Sequence, residues 1–311
     1  MPHSLVHGIL NNDHGSISKA ITLIENHQIP SESFLTEIHS KASNAVRIGI
    51  TGPPGAGKST LTNSLIEASL ANDKTVGVVA VDPTSPFTGG ALLGDRVRMN
   101  QYSGDNRVFL RSIGNHCNLG GLADKAHEIG DVLAASGKDI LFFETVGVGQ
   151  GEHDIMNVAD ICVVVLVPES GDEIQLMKAG LIEIADLFVI NKSDRSGANR
   201  IAAILKNILH TTSKKGKKEL SVFNTIATKK DGIFELYQGI NNLLNVMKDN
   251  GELEYRRLKR YRERVYSLIR YSLEKSFWVE DKLNYLNDLT SKLDTINEAP
   301  DVIAKQLLKK K

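Results

Sequence analysis

Gly52-Pro53-Pro54-Gly55-Ala56-Gly57-Lys58-Ser59 is the stretch on which the fold turns. It has the spacing G-x-x-x-x-G-K-[ST] of a phosphate-binding loop. Its context is the one the motif requires: the apolar run Val46–Thr51 precedes it, and residues 59–71 follow with helical spacing. In such a loop the backbone N–H groups and the helix N-terminus surround phosphates. The glycines allow positive φ and close backbone approach. Lys58 is then placed for the β- and γ-phosphates, and the Ser59 hydroxyl for Mg²⁺. A glycine-rich turn that matches by chance is the alternative, and the flanking strand and helix argue against it.

Working outward, short apolar runs recur at 76–81, 107–111, 139–144, 161–167 and 186–190, with a weaker one at 220–223. Segments of helical spacing such as 121–136 lie between them. Strands alternating with helices predict an α/β fold: a mostly parallel sheet covered by helices on both faces. Residues 1–45 are polar and mildly helical, with apolar residues at 17, 20, 21 and 24. Beyond about residue 250 the β runs stop. Eight basic and three acidic residues crowd Glu254–Lys275, with Tyr255, Leu258, Val265, Leu268, Tyr271 and Leu273 near helical spacing. The expected organisation is an N-terminal helical segment at 1–45, a nucleotide-binding domain at 46–250 and a C-terminal helical segment at 251–311.

Asn191-Lys192-Ser193-Asp194 stands directly after the run ending at Ile190. It has the N-K-x-D pattern of guanine recognition. The Asp194 carboxylate can accept from both N1–H and the exocyclic amine of guanine, whereas adenine presents an acceptor at N1. A mismatched buried polar group costs about 1–3 kcal/mol. Lys192 can lie along the base plane by its aliphatic stem. The alternative is a polar turn capping the next helix. A second base-side loop is expected at Ile226-Ala227-Thr228.

Three further segments leave strand ends. Val81–Arg96 is rich in Pro, Gly and Ser and offers Asp82 and Asp95 to a Mg²⁺ shell or an attacking water. Asp139–Gln150 ends an apolar strand in Glu144 and places Gly147 three residues later, where D-x-x-G is the commoner pattern. The Gly147 N–H can meet a γ-phosphate and move when it leaves. Val167–Gly180 is a third candidate mobile loop.

Lys+Arg and Asp+Glu are both 37, so the formal charge is zero, and no bulk attraction to nucleic acid or to a membrane follows. With 41% hydrophobic and 24% charged residues the chain is an ordinary globular one. The two cysteines, Cys117 and Cys162, make no disulfide framework, and a reducing cytoplasm is expected. The start Met-Pro-His-Ser-Leu lacks the features of a leader, and no run is long enough to span a bilayer.

Taken together, Gly52–Thr60, Val81–Phe87, Gly94-Asp95, Glu144–Gln150 and Asn191–Asp194 resemble the MeaB/ArgK family of P-loop GTPases over about residues 16–275. The resemblance implies a homodimer built partly from C-terminal helices. It also implies GTP hydrolysis in the service of a cobalamin-dependent acyl-CoA mutase, methylmalonyl-CoA mutase being the first candidate. Lys58, Asp82, Asp95 and Glu144 then carry over as catalytic residues. Ser59, Asp82, Asp95 and Glu144 carry over as the Mg²⁺ set, and Gln175 and Lys178 as a third switch facing the mutase. One departure is Ile226, where a serine is usual. Two other readings stay open. Five of the nine histidines (3, 7, 14, 27 and 39) lie near the start, with His3 and His7 at i,i+4, which would suit a GTP-dependent metallochaperone. A kinase acting on a transport protein would need a base for a substrate hydroxyl, and no residue stands out for that role.

Overall fold

The computed structural model describes residues 2–26, 28, 31–42, 45–83, 100–102, 104–115, 123–145, 155–170, 181–213, 220–292 and 296–309. Seven strands form one sheet: β1 (Val46–Thr51), β2 (Val76–Pro83), β3 (Val108–Asn115), β4 (Ile140–Thr145), β5 (Ile161–Leu166), β6 (Leu187–Ile190) and β7 (Ser221–Asn224). Their order is β3-β2-β4-β1-β5-β6-β7, and every pairing is parallel. The chain leaves β1 toward one edge and later returns to build β5, β6 and β7 on its other side. A ligand crevice is expected outside the strand C-termini at such a reversal.

Eleven α-helices lie among the described residues: α1 (Pro2–Leu10), α2 (His14–Glu25), α3 (Glu32–Lys41), α4 (Lys58–Ala71), α5 (Ala123–Ala135), α6 (Leu181–Ile184), α7 (Ala198–Ser213), α8 (Ile233–Asp249), α9 (Glu252–Phe277), α10 (Glu280–Leu289) and α11 (Pro300–Lys309). Strand side chains alternate between the two faces. Leu141, Phe143, Val164 and Phe188 pack with Ile9, Ile17, Ile21, Phe34 and Ile38 of α1–α3 and with α5 and α7. Phe142, Ile48, Ile50, Val163 and Val189 pack with Leu61, Leu65 and Ile66 of α4 and Leu236 and Ile240 of α8. The sheet is thus covered on both faces, as the near-continuous apolar runs predict. The thiol of Cys162 is buried among these residues and pushed up by that burial.

The N-terminal helices are capped by their own sequence. Asp13 accepts from Ser16 N at the start of α2, and Ser31 from Phe34 N at the start of α3. Arg47, buried in β1, pairs with Asp131 of α5, which also meets His39 of α3. Strand β3 runs to Asn115, further than the apolar run at 107–111 suggests. Arg111 and Ser112 interrupt the apolar pattern on this edge strand, and Arg111 donates from Nη2 to Glu25 and Thr22 of α2.

Lys138 is only 2% exposed, and its Nζ donates to Asn106 O at 2.9 Å. Burial pushes this ammonium down to about 8 from an ordinary 10.5. Between those values the unfolded chain holds more protons than the folded one, so stability rises with pH across the window. Chemical denaturation at about pH 7 and about pH 10 is expected to show the native protein gaining up to about 3 kcal/mol relative to Lys138→Met. Parallel profiles would remove Lys138 as the source.

The chain divides into two compact units, Met1–Arg257 and Leu258–Lys311. The first holds the sheet together with α1–α8 and the first turn of α9. The second holds the rest of α9 with α10 and α11. Within the second unit Phe277 and Trp278 stack edge to face at 5.1 Å, Lys282 lies over the Phe277 ring, and Ile303 and Leu307 are buried. None of the described helices is long and apolar enough to cross a membrane.

Candidate nucleotide site

The C-terminal ends of β1, β4 and β6 open onto a cavity of about 570 Å³, lined by Gly55, Lys58, Ser59, Asn63, Glu144 and Lys192 among others. The phosphate loop leaves β1 at Thr51, whose hydroxyl accepts from Thr145 Oγ1 of β4 at 2.9 Å. Gly52 has φ 138°, and a Cβ there would lie 2.1 Å from Val165 O. Gly57 has φ 83°, and its Cβ would lie 2.4 Å from Asn191 Nδ2. Both positions therefore exclude a side chain. Gly57 is also the N-cap of α4 and brings no capping side chain, which leaves the first amides of the helix for an anion.

Lys58 is 5% exposed and closes the loop on itself, Nζ donating to Gly52 O at 2.8 Å and Pro53 O at 2.9 Å. The ammonium is thereby parked over the loop. Ser59 donates to Glu144 Oε1, so the two residues expected at a metal are already in contact. Both offer hard oxygen donors, the type Mg²⁺ takes. Asp82 lies in β2, in register with Gly114, one residue beyond the Val81–Thr145 pair. Asp95, Gly147, Gln175 and Lys178 lie outside the described residues.

The base side is assembled around Asn191, 2% exposed at the end of β6. Its Nδ2 donates to Ala56 O at 2.9 Å, and its Oδ1 accepts from Thr225 Oγ1 at 3.2 Å and Ala227 N at 3.1 Å. One side chain thus ties the phosphate loop to the 225–227 loop. Lys192 takes positive φ and donates from Nζ to Gly55 O at 2.9 Å. The Asp194 carboxylate is 43% exposed and faces Lys229 Nζ at 3.7 Å. Ile226 and Ala227 sit in a turn closed by Ile226 N donating to Asp231 O, and Thr228 is exposed.

Several residues at this site carry no sequence signal. Ser64 of α4 donates to Ala227 O at 3.0 Å, Glu67 pairs with Lys230, and Lys229 faces Asp194. The lysines read as ordinary solvated charges, and the partner of Ser64 lies 163 positions away. Three of the N-terminal histidines have local or packing contacts. The His7 ring meets Asn11, His14 stacks on Phe109, and His39 meets Asp131. Among the described residues no three His, Cys, Asp or Glu gather as metal ligands.

A phosphate loop at the end of β1, joined through Asn191 to an N-K-x-D turn at the end of β6, defines a P-loop nucleotide-binding protein of the guanine class. The family model described as methylmalonyl-CoA mutase-associated GTPase MeaB matches residues 17–282, and the chain belongs to that family of GTPases. A protein of Pyrococcus horikoshii named as a GTPase is 41% identical, over 92% of this chain and 91% of its own length. GTPase ArgK of Escherichia coli is 34% identical, over 78% of this chain and 76% of its own. The mitochondrial methylmalonic aciduria type A homolog of Mus musculus is 34% identical, over 74% of this chain and 57% of that protein. The fold is shared with the crystal structure of an LAO/AO transport system kinase, with a TM-score of 0.73 at 24% identity over 99% of this chain and 96% of that one.

Proposed function

We propose that this GTPase is a cytoplasmic, homodimeric chaperone that guards and loads a cobalamin-dependent acyl-CoA mutase, methylmalonyl-CoA mutase first among the candidates. The observation that carries it is the family match over 17–282, which takes in both nucleotide motifs. In this mechanism the loop amides of Gly52–Thr60 and the N-terminus of α4 hold the phosphates, and Lys58 exchanges its two carbonyl bonds for charge-assisted ones to the β- and γ-phosphates. Ser59, Glu144, Asp82 and Asp95 would supply the oxygen donors for Mg²⁺, whose charge would help to stabilise the phosphates. Gly147 offers its N–H to the γ-phosphate. Asp194 selects guanine through N1–H and the exocyclic amine, Lys192 flanks the base, and the backbone of Ile226–Thr228 meets the 6-oxygen.

Unassisted small GTPases turn over at about 10⁻⁴ to 10⁻² per second. A mutase that touches Gln175 and Lys178 would order the neighbouring loops and accelerate this. Turnover measured with and without a B12-bound mutase is expected to rise with the partner. Lys178→Ala is expected to keep GTP binding while losing most of that rise. A native protein that no B12 mutase stimulates would overturn the partner assignment.

Support for the dimer comes from α9. It buries none of its residues, and Leu258, Tyr261, Ile269 and Leu273 are 51–64% exposed. An isologous pairing would cover such a face twice over. Light scattering of the chain cut after residue 250 is expected to report a monomer, and a dimer there would refute the role of these helices.

A further inference from the structure

We infer that Ser64, on the helix that follows the phosphate loop, is a positioning residue for base recognition: it holds the 226–228 loop in place to meet the guanine 6-oxygen. Ser64 has this role only if that backbone does meet the 6-oxygen, as proposed above.

The loop is a tight turn bound on several sides. Thr225 N donates to Ile190 O at 2.9 Å, and Ser193 N to Thr225 O at 3.0 Å, which extends the β6–β7 ladder into both base-side segments. Ile226 N donates to Asp231 O at 3.0 Å, and Lys230 takes a left-handed φ of 63° without being glycine. Ala227 stands at the centre, 4% exposed. Its N–H goes to Asn191, and its carbonyl accepts from Ser64 Oγ at 3.0 Å. Ile226 brings no hydrogen-bonding side chain to this turn, and the Thr225 hydroxyl is taken by Asn191. Within the turn the Ala227 carbonyl accepts from Lys230 N at 3.3 Å, and the shorter bond to it comes from another element.

Ser64 is 6% exposed, so this hydrogen bond is shielded from water. Without it the carbonyl would keep the longer bond from Lys230 N, at 3.3 Å, and lose the shorter one. A serine in a helix ordinarily bonds back to the carbonyl four residues earlier. Ser64 Oγ does lie 3.1 Å from Thr60 O, but its single proton is shared with Ala227 O across the interface. Because a peptide group is planar and trans, holding this carbonyl also sets the direction of the Thr228 N–H. Three residues on, and so on the same side of α4, Glu67 pairs with Lys230 at 2.5 Å at the far side of the turn. The helix that begins with Lys58 and Ser59 therefore frames the base subsite as well as the phosphate subsite.

The test compares affinities for GDP, 6-thio-GDP and IDP. Sulfur accepts from N–H weakly, so the preference for GDP over 6-thio-GDP reports the 6-position contact. IDP lacks the exocyclic amine, so the preference for GDP over IDP reports Asp194. Ser64→Ala is expected to lower the first preference about three- to tenfold, the value of one hydrogen bond, and to leave the second within about twofold. Ser64→Cys keeps the volume but donates weakly, and it is expected to do the same should the alanine variant not fold. An unchanged 6-position preference, or a parallel loss of both preferences, overturns the role of Ser64. A native protein that fails to distinguish GDP from 6-thio-GDP instead overturns the assignment of the 226–228 backbone.

Discussion

Lys58→Ala is expected to remove GTP binding and turnover together. The ammonium is the one charged donor of the loop motif. Two of its acceptors, Gly52 O and Pro53 O, belong to the loop proposed to receive the phosphates. Removing one donor aimed at developing negative charge costs about 10²–10³-fold in rate. Ground-state binding is expected to fall as well, because in the proposed mechanism Lys58 meets the phosphates before and during transfer. Glu144→Ala is expected to differ: it should reduce hydrolysis more than affinity, since Glu144 contacts Ser59 at the proposed metal position. Equilibrium titration and single-turnover measurements separate the two. Native-like turnover in Lys58→Ala would refute the role of the lysine, and equal losses of affinity and rate in Glu144→Ala would make Glu144 a ground-state ligand.

Arg257→Ala is expected to be the most destabilising surface-to-interior change, at about 3–5 kcal/mol. Arg257 reaches from the first turn of α9 to Asp160, whose side chain is fully buried just before β5. Its Nη2 donates to Asp160 Oδ2 at 3.1 Å and to Ala45 O at 3.0 Å, and its Nε to Asp160 Oδ1 at 3.3 Å. Arg47 N also donates to Oδ2 at 3.0 Å. The neighbouring Arg256 makes a two-point bond to Asp186, both contacts at 2.8 Å, and Asp186 in turn accepts from Cys162 N. Removing Arg257 strands a buried carboxylate. Asp160→Asn with Arg257→Ala should therefore cost less than the sum of the single changes. Urea denaturation of the four proteins measures this coupling, and a loss below about 1 kcal/mol in Arg257→Ala would contradict it.

The Arg257 pair also marks where sequence reasoning stops. Arg256 and Arg257 open a run of eight basic residues in which nothing in the sequence singles them out, and no residue of α9 is buried. These two reach inward to carboxylates that stand just before β5 and β6, Asp160 and Asp186. The phosphate loop was legible for the opposite reason. Its function depends on consecutive residues, a strand before it and a helix after it, so the chemistry is written locally. Asn191 and Asp194 were legible likewise, as a short motif at a strand end.

What the amino-acid sequence determined alone is the α/β class, the parallel sheet, the strand–loop–helix of Gly52–Ser59 and the N-K-x-D turn after β6, since alternating apolar runs and contiguous motifs encode these directly. The tertiary structure decided which distant polar groups meet. Asn191 bridges the two loops, Ser64 reaches Ala227, Arg47 finds Asp131, and Lys138 sits under Asn106. A buried polar group must be paired, but its pairing energy depends on distance in space and not along the chain. The strand order that places β1 between β4 and β5 brings those partners together, and no run of neighbouring residues records it.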